Sequence, residues 1–245
     1  MFQSIVYRLS PYLTKWFDEN YGRRLIRRFF NQIPSAEVVL DLGAGHGDDL
    51  MIAKSRFQNS KCWAVESYPP FVEELKANQI EVTSLNIERD RLPFDDGAVD
   101  VIIINQVLEH VKDVFWVLHE CARVLKTGGS LIIGVPNLAA WHNRAILLLG
   151  VQPPAIATLS CHVRGYTRED LRQTIEKGSG GALMVKASRS AGFYPFPPVI
   201  ARPLAALLPS LGWSVHLRVE KTRDYYGKFL QKAVEFNETN FYTGI

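Results

Sequence analysis

Three glycines at alternating positions, Gly43, Gly45 and Gly47, separate the run Val38-Val39-Leu40-Asp41 from the acid pair Asp48-Asp49. An apolar β-branched run, then a glycine turn, then Leu50, Met51 and Ala53 at helical spacing read as a buried strand, a loop and a helix N-terminus. Glycine is needed there because a side chain would block both the turn and the approach of a ligand to the backbone. A dinucleotide fingerprint, G-x-G-x-x-G, would put its third glycine at position 48, where Asp48 stands. Asp48 and Asp49 suit the positive end of a helix dipole, and they repel a pyrophosphate approaching that end. The loop therefore predicts a ligand that carries positive charge close to the backbone.

Glu66 closes a second apolar run, Cys62-Trp63-Ala64-Val65. It lies roughly 20 residues beyond the loop, where doubly wound folds place a carboxylate for ribose hydroxyls. Its bland alternative is a surface acid at a strand end. A sulfonium, an ammonium and a ribose together describe S-adenosyl-L-methionine better than a nicotinamide dinucleotide. Methyl transfer from a sulfonium to an alcohol or phenol needs alignment and a group to take the proton. His162 and His110 are the first candidates for that general base, ahead of His142, because imidazole titrates near neutral pH. His46, inside the glycine loop, reads as a supporting or solvent-exposed residue. No two histidines have the helical spacing of a metal pair with a third ligand nearby, so no metal is expected.

These groups must be held by a sizeable core. The chain has 245 residues, 47% hydrophobic and 22% charged, enough for one large domain. A net charge of +3 gives no case for nucleic acid. Cys62, Cys121 and Cys161 are far apart, which suits reduced thiols in a cytoplasmic protein. Arg8 and Pro11 interrupt the first apolar segment, against a secretory signal, and no apolar run approaches the roughly 20 residues of a membrane span.

Residues 1–35 read as an N-terminal helical extension, with one stripe at Tyr12, Leu13, Trp16 and Phe17 and another at Leu25, Ile26, Phe29 and Phe30. Arg23, Arg24, Arg27 and Arg28 share the second helix, as a solvated face or as a contact for an anionic substrate or membrane surface. Beyond the glycine loop the pattern alternates: a strand to Glu66, a helix from Pro70 to about 78, and a strand Glu81 to Leu85. A continuous apolar strand, Val101 to Ile104, follows, then a helix ending at Gly128-Gly129 and a strand Leu131 to Val135. Such alternation implies a parallel sheet covered on both faces.

Taken together, Asp41-Leu42-Gly43-Ala44-Gly45-His46-Gly47, Leu92-Pro93-Phe94, Val107-Leu108-Glu109-His110 and Arg123-Val124-Leu125-Lys126-Thr127-Gly128-Gly129 resemble the class I S-adenosylmethionine-dependent methyltransferases. The subgroup includes ubiquinone-type and many small-molecule enzymes, and the match spans about residues 36 to 137. His162-Val163-Arg164-Gly165-Tyr166-Thr167 is similar to the segment that closes the active site in many of them. The resemblance implies a Rossmann-like, doubly wound α/β fold with a seven-stranded, mostly parallel sheet over residues 36–245. Its last two strands would be an antiparallel, hairpin-like pair near 182–188 and 213–220. It further implies that Gly43, Gly45 and Gly47 face the methionine part of the cofactor, Asp41 holds its ammonium, and Glu66 accepts both ribose hydroxyls. Asn86 and Ile87 would bracket the adenine, with the Asn86 amide oxygen taking the adenine amine, and Gln106 would lie near the methionine chain.

Two apolar segments, about 138–168 and 193–213, would form the substrate pocket, since loops at carboxyl strand ends build the ligand crevice of open α/β sheets. The expected partner is a small-molecule, sugar or lipid-linked acceptor, methylated on oxygen, with peripheral membrane contact as one version. A non-catalytic cofactor-binding subunit and a nicotinamide-dependent oxidoreductase are the competing classes.

Overall fold

The computed structural model describes residues 21–236. The stripe at Tyr12 to Phe17 lies outside them. Seven strands, Val38–Leu42 (β1), Lys61–Val65 (β2), Glu81–Thr83 (β3), Val99–Asn105 (β4), Leu125–Pro136 (β5), Leu183–Ala191 (β6) and Ser214–Lys221 (β7), form one sheet. Their order is β3-β2-β1-β4-β5-β7-β6. The first five are mutually parallel, and β7 runs antiparallel to both neighbours. This is the doubly wound, mostly parallel α/β architecture expected.

The side-chain period of two explains why both faces are covered. Along β4, Ile102 and Ile104 enter one core while Val101 and Ile103 enter the other. On the first face lie Val114–Val124 (α4), Arg168–Gly178 (α6) and Lys228–Phe236 (α8), through Leu118, Leu171 and Phe229 among others. On the second lie Arg23–Phe30 (α1), Asp48–Arg56 (α2) and Pro69–Ala77 (α3), through Phe29, Phe30, Leu50 and Leu75. Thus α1, from the expected extension, packs its apolar stripe into the sheet core. Burial of each such side chain stabilises by about 1.5–3 kcal/mol.

Two short helices, Trp141–Leu148 (α5) and Pro198–Leu207 (α7), follow β5 and β6, so both leave the sheet at the carboxyl edge of its parallel strands. They share a small separate core of Trp141, Phe193, Ala201, Leu204, Ala205 and Leu211.

Three boundaries differ from the sequence reading. Helix α4 stops at Val124 rather than at the glycines, because Leu125 already pairs with Val99. The register then shifts before Val101 pairs with Ser130, and Gly128, at φ 86°, lies in the intervening irregular stretch. Strand β3 stops at Thr83, and Leu85 packs against the core instead of extending the edge. The β6–β7 pair is antiparallel as expected, but α7 sits in its connection, so it is no hairpin.

Candidate functional site

Parallel pairing assembles the glycine region. Asp41 stands beside Ala64 of β2 and Ile103 of β4, which brings the ends of three strands together. All three loop glycines are left-handed, at φ 72°, 54° and 81° for Gly43, Gly45 and Gly47. Their surroundings differ. A Cβ on Gly43 would lie 2.7 Å from Val107 Cγ2, and one on Gly47 would lie 2.6 Å from Leu75 Cδ2. At Gly45 nothing lies within 4 Å. Gly43 and Gly47 are therefore required by packing, while Gly45 opens onto space that a ligand can fill.

Glu66 ties this loop to the next. Its Oε2 accepts the Gly45 N–H at 2.9 Å, and its Oε1 accepts the N–H groups of Ser67 and Tyr68 at 2.8 Å each. A carboxylate has roughly four acceptor sites, so the remaining capacity is on Oε2. The half-buried Glu66 is thus a loop brace as well as a candidate for the ribose.

Buried negative charge surrounds the loop. Asp41 is 3% and Asp49 7% exposed. Burial raises the Asp41 carboxyl well above the ordinary range, with Asp49 and Glu66 pushing the same way and Arg23 opposing. Burial also raises Asp49, against the Asn105 hydrogen bond at 2.8 Å and the nearby Arg23 guanidinium. Arg23 reaches Asp48 at 2.8 Å and Asp49 at 3.6 Å. The basic helix α1 therefore contributes Arg23 to this region rather than a purely solvated face. Even so, Asp41 stays costly to ionise, and a cation beside Gly45 would relieve that cost.

Gln106 follows β4 with φ 60°, a rare state for a side-chain-bearing residue. Its backbone N–H donates to Gly134 O at 2.8 Å, and its buried Nε2 lacks a hydrogen-bond partner among the described residues. An orphaned donor and a strained backbone at a strand end make Gln106 a candidate for contact with a ligand. Asn86 is exposed after β3, and its amide oxygen accepts the Glu88 N–H at 3.0 Å. That oxygen is partly occupied by its own turn, while Ile87 packs against the main core.

A second cluster forms where the segment after residue 160 crosses the turn after β4. Val163 N–H and Arg164 N–H both donate to Glu109 O, at 2.8 and 3.2 Å, and Tyr166 OH donates to Leu108 O at 3.2 Å. These bonds bring the His110 and His162 rings to a centroid separation of 4.7 Å. His110 Nδ1 lies 3.2 Å from Cys161 O and His162 Nδ1 lies 3.0 Å from Ala155 O. A carbonyl oxygen can only accept, so each Nδ1 carries the proton and each Nε2 presents a lone pair. Burial, with His162 adding to it, lowers the His110 imidazole below its usual value, the Cys161 carbonyl opposing. Glu109, 2% exposed, places Oε1 4.0 Å from His110 Nε2, and burial raises its carboxyl to about 7.

His142 stands apart, its ring 5.1 Å from Trp213 and 5.4 Å from Tyr194. His46 is exposed, 2.7 Å from Glu74. The sequence reading missed Glu109 and Cys161 and the burial of Asp49. Glu109 had a local signal in its place inside Val107-Leu108-Glu109-His110, and Asp49 in its place at the helix start.

Parts of the two apolar segments meet around an open groove of about 550 Å³, lined by Arg144, Thr167, Arg168, Ser188 and Ser210 among others. Around α5 and α7, Leu148, Leu149, Val199 and Leu207 are 76–88% exposed.

A family model described as a methyltransferase domain matches residues 40–133, from β1 through most of β5. With the sheet order and the glycine loop, that match supports a class I S-adenosylmethionine-dependent methyltransferase using S-adenosyl-L-methionine as its cofactor. Among relatives, a Mycobacterium tuberculosis protein named a probable S-adenosylmethionine-dependent methyltransferase is 26% identical over 216 residues, 77% of this chain and 74% of its own. A demethylmenaquinone methyltransferase of Thermus thermophilus is 29% identical over 140 residues, 54% of this chain and 63% of its own. The chain spans 43% of an uncharacterized 37.1 kDa protein from a Streptomyces fradiae transposon, which is 29% identical over 161 residues, 64% of this chain. The fold matches an S-adenosylmethionine-dependent methyltransferase from Thermotoga maritima with a TM-score of 0.59 at 19% identity, covering 85% of this chain and 93% of that one.

Proposed function

We propose that the chain transfers a methyl group from S-adenosyl-L-methionine to an oxygen of a lipid-linked acceptor bearing an anionic group. In this reading Asp41 takes the ammonium of the cofactor, Gly45 leaves room for its methionine part, and Glu66 Oε2 accepts a ribose hydroxyl. Gln106 donates from its orphaned Nε2 to the methionine chain. Asn86 and Ile87 flank the adenine.

The observation that carries the choice of oxygen is the pair of imidazoles. With both Nδ1–H groups held by backbone carbonyls, the Nε2 atoms of His110 and His162 are the basic ends. One takes the hydroxyl proton as the oxygen attacks the methyl group, the carbon–sulfur bond breaks, and S-adenosylhomocysteine leaves. Holding oxygen, methyl and sulfur in line supplies most of the acceleration.

The acceptor class rests on the rim. Leu148 is 88% and Leu149 80% exposed on α5 and its end, and Val199 is 80% and Leu207 76% exposed on α7. Exposed aliphatic groups gathered on the elements at one sheet edge suit an apolar tail. Arg144, Arg168 and Arg172 on the groove, with Glu169 among them, suit an anion. No helix among the described residues is long and apolar enough to cross a membrane.

The test is to incubate the protein with methyl-labelled cofactor and separate aqueous and organic extracts of its source cell. Label in an organic-phase product that base releases as methanol, marking an ester, or hydriodic acid releases as methyl iodide, marking an ether, supports the reading. Label confined to water-soluble products contradicts it.

A further inference from the structure

His110, Cys161 and His162 converge although they come from two segments about 50 residues apart in the chain. One ligand atom from each, an imidazole nitrogen or the Cys161 Sγ, lies within 4.8 Å of the other two. We infer that these three side chains form a binding site for a divalent transition metal of the zinc type, with one coordination position open.

The donor set fits that class. One thiolate and two imidazoles are borderline-to-soft ligands suited to zinc and cobalt(II), and unsuited to magnesium or calcium. The ring orientations fit as well. Metal-bound histidines characteristically donate their other ring N–H to a carbonyl or carboxylate, which fixes the tautomer. Both rings already do so, His110 to Cys161 O and His162 to Ala155 O, leaving Nε2 for a metal. The two segments are pinned as well, through the hydrogen bonds of Val163, Arg164 and Tyr166 to Glu109 and Leu108. The ligand atoms, up to 4.8 Å apart, would have to draw together around an ion. Three protein ligands are the number found at catalytic zinc centres, where the fourth position takes water or substrate.

This inference rests on the proposed O-methylation for its use, though not for its existence. A metal on the two Nε2 atoms occupies the lone pairs that the base role would need. The acceptor hydroxyl would then sit on the open position, where a metal lowers its pKa and its proton passes to solvent.

The experiment is titration of the purified protein, stripped with a chelator, with cobalt(II), followed by absorption. The expected result is a near-ultraviolet thiolate-to-cobalt band with the visible bands of a tetrahedral ion, at one equivalent, displaced by zinc. Cys161→Ser should abolish the thiolate band. His110→Gln and His162→Gln should each weaken binding at least tenfold, with thermal melts showing all three variants folded. No thiolate band, or a band unchanged in all three variants, overturns the metal site. Loss of methyl transfer in His162→Gln without any cobalt band leaves the base role standing and sinks the metal. A metal band without any oxygen-methylated product keeps the site and sinks the acceptor reading.

Discussion

The glycine loop and the α5–α7 cover lie at the same edge of the sheet and are built on opposite principles. Around the loop, Gly43 and Gly47 are filled to contact by Val107 and Leu75, and Glu66 clamps three backbone N–H groups. Around the cover, a small core holds two helices whose aliphatic side chains largely face outward. The first region is shaped before any ligand arrives, at a cost in buried charge. The second leaves aliphatic side chains in solvent. In the proposed function the first part fixes the cofactor and the second meets the acceptor.

The contrast breaks most visibly at the packed glycines. Gly47→Ala should destabilise by about 2–5 kcal/mol, from the left-handed backbone and from overpacking against Leu75. Gly45→Ala has only the backbone cost, about 1–2 kcal/mol. It should nonetheless lower cofactor affinity at least tenfold, because its Cβ fills the open space. Denaturant melts and calorimetry on both variants check this, and equal destabilisation would remove the distinction between packing and cradle.

Glu66→Ala should come next. A charge-assisted hydrogen bond is worth roughly 1.5–3 kcal/mol, so affinity should fall about ten- to a hundredfold. The loss of a brace for three N–H groups should lower stability as well, while Glu66→Gln keeps one acceptor oxygen, enough for the Ser67 and Tyr68 N–H pair, and should retain more of both. A Glu66→Ala variant that melts with the wild type would show that the brace is unimportant.

Asp41→Asn should act with opposite signs on stability and binding. The folded carboxyl titrates above its ordinary value because it is buried near Asp49 and Glu66. The native state then holds a proton that the unfolded chain has lost, so stability falls as pH rises from the ordinary carboxylate range through the raised value. Removing the charge should raise the thermal midpoint of the cofactor-free protein at neutral pH. A lower midpoint in Asp41→Asn would contradict the burial cost.

The smallest effect on stability belongs to the cover. Replacing Leu148, Leu149 and Leu207 together with Ser should change stability by no more than about 0.5 kcal/mol per site. Transfer to an acceptor presented in vesicles should fall, while transfer to a short-chain soluble analogue should not. Equal rates on both would show that the exposed leucines play no part in acceptor capture.

The same contrast explains what was legible in the sequence. Asp41, the three glycines and Glu66 announced themselves because a strand, a turn and a helix start are local patterns, and strand pairing then carries them together. Asp49 was legible as a helix-dipole acid but not as a buried one, since Arg23 and Asn105 reach it from 26 and 56 residues away. His110 and His162 were chosen one at a time, and nothing local showed that Cys161 would join them, since hydrogen bonds between distant segments make that meeting. The helix end at Val124 was misread because Gly128-Gly129 looks like a stop signal, whereas pairing of Leu125 with Val99 ends the helix sooner.

In the proposed function Asp41 takes the cationic amino-acid end of the cofactor. Calorimetry of wild type and Asp41→Asn with S-adenosylhomocysteine and with methylthioadenosine, which lacks that end, tests it most directly. The prediction is at least a tenfold loss for S-adenosylhomocysteine and an unchanged affinity for methylthioadenosine. Equal losses for both ligands, or no loss for either, would contradict it.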